Sequence, residues 1–382
     1  SGLDILSGRH LPEEMDGVFI TNDFRANRIN RFRLREQGHS FTAEQLEDLL
    51  WTDHVAFRPV DVTVGPDGAI YVADWYNPII QHGEVDFRDE RRDQQHGRIW
   101  RITAKDRPLV EPPVLAGAEP RDLLDALKQP ENWTRSQARQ VLKEYGAERV
   151  VPELERWLEE LDTDHPDYEH HLLEAFWVYQ ALDVLNEPLL NQLLTADSHQ
   201  ARAAAVRSLY DWQDQLDAMD EILAEAVRDE HPHVRHEAVI ALRYLQTAEA
   251  AEMALSVLER GVDEVMDFSL WQTVRELEPY WMQRLSEDPG YLSDPRQRAY
   301  ALKSVSNPEA VHHLVEHYLS GEVPQEYHDD VLDAVARWGD TEELNTLYEI
   351  ALGNEFIHRD GRIAYLDALE EAESRQGKQP DG

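Results

Sequence analysis

The chain contains no cysteine. That excludes a disulfide framework, thiolate metal sites and the thioether attachment of a c-type haem. No apolar run approaches the ~18 uninterrupted residues of a membrane-spanning helix, and no secretory leader is legible in the opening residues. Equally missing are a GxSxG nucleophile elbow, a Gly-rich phosphate loop and a GxGxxG dinucleotide fingerprint, which removes the commonest hydrolase, kinase and nicotinamide-enzyme readings. Basic residues are scarce. Against 76 Asp and Glu stand 37 Lys and Arg, a formal net charge of −39. Such a chain repels phosphate backbones and anionic lipid, so nucleic acid and acidic membrane are excluded as partners.

The imbalance is uneven. Residues 1–110 hold 19 acids and 14 bases, net −5, and the remainder carries net −34. Lysine is limited to Lys105, Lys128, Lys143, Lys303 and Lys378. Abundant surface carboxylates with few lysines resemble proteins of salt-loving organisms, in which high ionic strength screens self-repulsion. A dedicated basic partner is the alternative. At 382 residues the chain has room for two or three domains with real cores.

What is present begins with strands. Asp61–Val64 and Ala69–Asp74 are short β-branched runs around Gly65-Pro66-Asp67-Gly68, a turn whose Pro and Gly suit a tight hairpin. Ile99–Ile102 reads as a third strand, reached through a long loop from Trp75 to Arg98. Gly17–Asn22 and Arg28–Leu34 form a further pair joined through Asp23–Asn27. Units of this kind repeated around an axis make a β-propeller, and the spacing suits about two blades. Two blades do not close a ring, and blade-like sequence begins at once, so the expectation is the C-terminal part of a larger propeller.

From Glu119 the period changes to 3.6. Apolar residues recur at helical spacing in Val150–Leu161, His171–Leu182, Leu189–Leu194, Ala218–Val227 and Ala251–Leu258. An internal register is visible as Arg, a small residue at +3 and Leu or Val at +7. It recurs at Arg135/Ala138/Leu142, Arg202/Ala205/Leu209, Arg235/Ala238/Leu242 and Arg298/Ala301/Val305, with Pro232 and Pro295 placed to start their helices. The register resembles the second helix of HEAT-type repeats, which stack into a solenoid. The fold expected is therefore multi-part α and β. A partial β-propeller over 1–112 precedes a HEAT-like α-solenoid over 113–372 and a polar tail over 373–382.

The run FRPVDVTVGPDGAIYVADWYNPII at 57–80, followed by RD, RRD and HGRIWRIT and then by helical repeats, resembles a family of membrane-bound-dehydrogenase-like proteins of planctomycetes and verrucomicrobia. The resemblance covers about residues 1–110. It implies a propeller similar to those of pyrroloquinoline-quinone (PQQ) sugar dehydrogenases, then HEAT-type repeats, and commonly a haem domain with a CxxCH motif. Without cysteine, that haem domain is absent from this chain. By the same resemblance the setting is extracytoplasmic, periplasmic or membrane-associated through missing parts. The substrate is a sugar or alcohol, the cofactors are PQQ and calcium, and the electron acceptor is a haem domain or cytochrome.

The 75–98 loop is dense in ionisable groups, and site residues are sought there. His82 and His96 are candidate bases for a substrate hydroxyl. Arg58, Arg88, Arg92 and Arg98 are candidates to pair quinone carboxylates, and Asp61, Asp74 and Asn77 to offer oxygen to calcium. The structural alternative is that Arg88–Asp89 and Arg92–Asp93 pair merely to pin the loop, with Arg58 and Asp61 linking the blade.

In the repeats the bland readings weigh more. The repeat arginines tie neighbouring turns, Trp133, Trp157, Trp177, Trp212, Trp271, Trp281 and Trp338 pack cores, and the His170-His171, His231/His233/His236 and His312/His313/His317 groups are solvated rather than metal-bound. Three functions stay open, one of them a purely structural spacer between a catalytic propeller and a haem domain. Another is part of an extracytoplasmic quinoprotein-like dehydrogenase with the repeats as scaffold, this chain being inactive alone; the third is a non-enzymatic protein- or glycan-binding module built on the solenoid.

Overall fold

The computed structural model describes residues 2–80, 83–353 and 359–380. The chain divides into two compact units, Ser1–Arg202 and Ala203–Gly382. The first contains both sheets and the first helices. The first helix starts at Pro120, and the compact units part at Arg202.

Two antiparallel sheets open the first unit. One runs β1 (Leu3–Ile5), β2 (Val18–Asp23), β3 (Arg28–Gln37) and β4 (Ser40–Gln45), with β5 (Leu50–Trp51) pairing β3; the other runs β6 (Pro59–Val64), β7 (Ile70–Asp74) and β8 (Arg98–Ile102). The expected strands are present, and β1, β4 and β5 are additional. Too short or too polar, they carry no alternation to read: β4 is Ser-Phe-Thr-Ala-Glu-Gln and is exposed along most of its length. The strands that do alternate bury one face. Val18, Ile20, Ile29, Val62, Val64, Ile70 and Val72 join Leu6 and Phe57 in one core, as period-two patterning requires.

The hairpin at Gly65–Gly68 closes as its residues suggest. Gly68 alone takes a positive φ, +79°, and a Cβ there would stand 2.7 Å from that of His10. Asp67 latches the sheet behind it, accepting from Ala69 N–H at 3.0 Å, from the Tyr71 hydroxyl at 2.9 Å and from Arg101.

Sixteen α-helices follow among the described residues. They are α1 (Pro120–Ala126), α2 (Asn132–Tyr145), α3 (Ala147–Glu159), α4 (Tyr168–Ala181), α5 (Glu187–Leu194), α6 (His199–Ser208), α7 (Met219–Ala226), α8 (Pro232–Leu242), α9 (Ala248–Leu255), α10 (Glu264–Glu276), α11 (Glu278–Glu287), α12 (Pro295–Ser304), α13 (Pro308–Leu319), α14 (His328–Trp338), α15 (Thr341–Gly353) and α16 (Arg359–Gln376). None is long and apolar enough to cross a membrane. Pro232 and Pro295 sit at the first positions of α8 and α12, where a missing N–H costs nothing. α16 runs on to Gln376, into the stretch expected as a tail.

Within the first unit, the sheets are bolted to the helices. Glu131 at the start of α2 is buried and takes three bonds from Arg9: from its backbone N–H at 3.0 Å, Nε at 2.9 Å and Nη2 at 2.8 Å. Burial pushes this carboxyl up, but the Arg9 bonds outweigh that and hold it below the usual range. Ser7 caps the same helix start, its hydroxyl accepting from Asn132 N–H at 2.9 Å.

The repeat arginines do what the bland reading expects. Arg135, Arg202 and Arg235 each reach back six residues, Nη1 donating to the carbonyls of Gln129, Ala196 and Asp229 at 2.6, 2.8 and 2.9 Å. Arg298 donates instead to Pro289 O at 2.9 Å. Each ties down carbonyls left over after a preceding helix ends. Of the tryptophans, Trp157, Trp212 and Trp281 are fully buried.

Candidate functional site

Two strand ends and a helix-free loop bring the sequence-derived candidates into the first unit. Asp74 closes β7 and is buried. Its Oδ1 accepts from the N–H groups of Arg58 at 2.7 Å and Tyr76 at 2.9 Å, and its Oδ2 accepts from Trp100 Nε1 at 3.0 Å. Three donors therefore surround this carboxylate. The bond to Tyr76 holds that residue at φ 52°, a left-handed conformation unusual for an aromatic side chain. Asn77 is likewise engaged: its Oδ1 accepts from Ile79 N–H at 3.0 Å. Asp61 lies elsewhere. It pairs with Ala73 across the β6–β7 ladder, so it occupies the opposite face from Val62, Val72 and Asp74, exposed to solvent. Asp61 therefore lies apart from Asp74, while the Asp74 and Asn77 oxygens accept the N–H groups named above.

The arginines separate in the same way. Arg58 is 7% exposed, and its guanidinium is spent on backbone carbonyls. Nε donates to Asn77 O at 3.1 Å, Nη1 to Phe24 O at 2.8 Å and Arg25 O at 3.3 Å, Nη2 to Pro78 O at 3.4 Å. Burial lowers its pKa, an effect Asp74 partly offsets. It clips the β2–β3 turn to the loop after β7. Arg92 is used similarly, donating to the carbonyls of Asp86, Ile79 and Val85 at 3.1, 3.4 and 3.0 Å. Arg88 is exposed. The pairs anticipated at Arg88–Asp89 and Arg92–Asp93 are replaced: Asp89 pairs with Arg91 at 2.8 Å, and Asp93 with His96 at 2.9 Å.

His96 is 70% exposed in its side chain, with Nδ1 held by Asp93. The N–H of Gln95, followed by the His96 bonds, keeps the Asp93 carboxyl below the usual range. His82 lies outside the described residues.

Arg98 is the exception among the cations. It opens β8, and its Cζ lies 3.4 Å from the Tyr76 ring centroid and 5.8 Å from that of Trp100. His54 stacks on the same tyrosine at 5.7 Å, with planes 24° apart. Arg98 and His54 also line a cavity of about 310 Å³, together with Leu50, Trp51, Phe57, Asp74 and Trp100. It is mostly apolar, with a guanidinium and a buried carboxylate at one side. Trp51 is 72% exposed, unusual for an indole with nothing to cover. Of the residues that line this cavity, sequence reasoning had singled out Asp74 and Arg98 and not Trp51, His54 or Trp100. The clue was composition: Trp51 and Trp75 stand at or just past strand ends and Trp100 on an exposed strand, where core packing has little use for them.

Residues 1–106 match a family model described as a domain of unknown function (DUF7133), and residues 186–269 match one for HEAT repeats. No curated protein matches the chain. Among solved structures, that of an engineered protein is similar over 67% of this chain and 99% of its own, at 18% identity and a TM-score of 0.24, too low to bear on the fold.

Proposed function

We propose that the sheet region contributes one ligand pocket to an extracytoplasmic quinoprotein-like dehydrogenase acting on a sugar or alcohol, and that the helical repeats are its scaffold. The observation that carries this reading is the convergence of Arg98, Trp51 and Trp100 on a single cavity beside Asp74. Flat indoles with one guanidinium suit a planar, carboxylate-bearing molecule such as PQQ, and fit one of its acidic edges. The strained Tyr76 beneath Arg98 supports it, since such backbone cost persists where a site is held in place. Calcium has no part in this version, because Asp74 and Asn77 already accept N–H donors. His96 is not among the cavity's lining residues, whereas His54 is; the chain alone is proposed to bind without turnover.

The test is a PQQ titration of the full chain followed by tryptophan fluorescence, with and without Ca²⁺. Saturable quenching is expected, unchanged by Ca²⁺ and by His96→Ala, and weakened roughly tenfold or more by Arg98→Ala, the loss of a charge-assisted bond. Absence of quenching, or equal affinity in Arg98→Ala, contradicts the reading.

A second reading, a non-enzymatic protein- or glycan-binding module, is favoured by one observation: a larger cleft on the first helices, lined by two tryptophans.

A further inference from the structure

Helical spacing builds that cleft. His170, Glu174 and Trp177 stand at i, i+4 and i+7 on one stripe of α4, and Arg135 and Arg139 stand four apart on α2. Together with Trp133, Ser136 and Gln137 of α2, and with Asp4 and Thr63 from the sheets, they enclose about 550 Å³, within the range of small-molecule pockets.

The electrostatics of the cleft close on themselves. Glu174 is 1% exposed in its side chain and is matched by Arg135 Nε at 3.0 Å, by Arg139, and by His170 Nε2 at 3.5 Å. Arg135 is further committed to Gln129 O and to Asn132. Asp4 is engaged as well, Oδ1 accepting from Ile5 N–H and Oδ2 from Val64 N–H and the Thr63 hydroxyl, at 2.8, 2.7 and 3.0 Å. A charged ligand would have to break these pairs, leaving a buried partner uncompensated. A neutral one would not. The groups open to a ligand are the half-buried Trp133, the part of Trp177 left uncovered by the Arg139 guanidinium 5.4 Å from its ring centroid, and the exposed hydroxyl and amide of Ser136 and Gln137.

Apolar ring surface beside uncharged hydrogen-bonding groups matches a molecule with hydroxyls on its rim and C–H bonds on its face. We infer that this cleft is a non-catalytic binding site for a neutral saccharide of one or two rings, tethering the chain to a glycan without oxidising it. The inference rests on the recognition reading and is independent of the pocket at Arg98.

Calorimetry of the full chain with cellobiose, maltose and lactose tests it, with digalacturonate as the acidic counterpart. At least one neutral disaccharide should bind saturably and be recovered unaltered. Trp177→Ala should weaken binding roughly tenfold and Gln137→Ala severalfold, while Trp51→Ala leaves it unchanged. Gln137 is exposed, so that variant keeps its fold and carries the test if Trp177→Ala does not. Binding of digalacturonate alone, still sensitive to Trp177 and Gln137, overturns the neutral ligand but keeps the recognition reading. Binding of none of the four, or binding indifferent to both variants, overturns both.

Discussion

A buried histidine shows how single residues set conditions for this fold. His171 packs against the rings of Trp157 and His165. Burial first, then the positive potential of His165, His170 and Lys128, depress it from 6.5 to about 4, against a smaller pull from Asp167. The folded state therefore disfavours the proton that the unfolded chain accepts. Its contribution is complete above about pH 6.5 and is lost as pH falls towards 4. Thermal unfolding of His171→Gln against the parent across that window should show a shallower acid decline in the variant; parallel curves would mean the ring is not held neutral. At the same scale lies what residue types leave open about the loop. Residue types for a quinone and calcium site are all there, but Arg58 and Arg92 meet backbone carbonyls and Asp74 meets N–H groups. Composition does not say whether a polar group faces a ligand or the chain itself.

At the scale of elements, periodicity was legible and partnership was not. β6 and β7 alternate around a Gly-Pro turn and β8 is a short apolar-rich run after the loop, so all three were readable; β4 and β5 are defined by pairing with β3 and have no pattern of their own. The Arg register of the repeats was readable because the geometry recurs: the side chain reaches back over the turn preceding its helix. In α8, Arg235 donates to both Asp229 O and Glu230 O at 2.9 Å while 7% exposed. Arg235→Ala should cost about 1–3 kcal/mol by stranding those carbonyls, and Arg235→Lys should recover little, lacking the planar fork. Denaturant titration checks both. Full stability in the lysine variant would show that charge, and not geometry, matters there. Exposed Arg88→Ala, the control, should fall within about 0.5 kcal/mol.

For the whole molecule the governing quantity is charge. A net of −39, most of it beyond residue 110, is self-repulsion that salt relieves. Many pairs, such as Arg149–Glu119 and Arg296–Glu326, are solvent-exposed and lose little when screened. We therefore expect the unfolding temperature to rise steeply from dilute buffer to molar NaCl; a flat or falling response would remove the salt-adapted reading. The most direct test of the account is hydrogen–deuterium exchange of the full chain with and without PQQ. Protection is predicted at the amides of 50–57 and 98–100, around the Trp51, Trp100 and Arg98 pocket, and not across 86–96. Protection confined to 86–96, or none at saturating quinone, would contradict it.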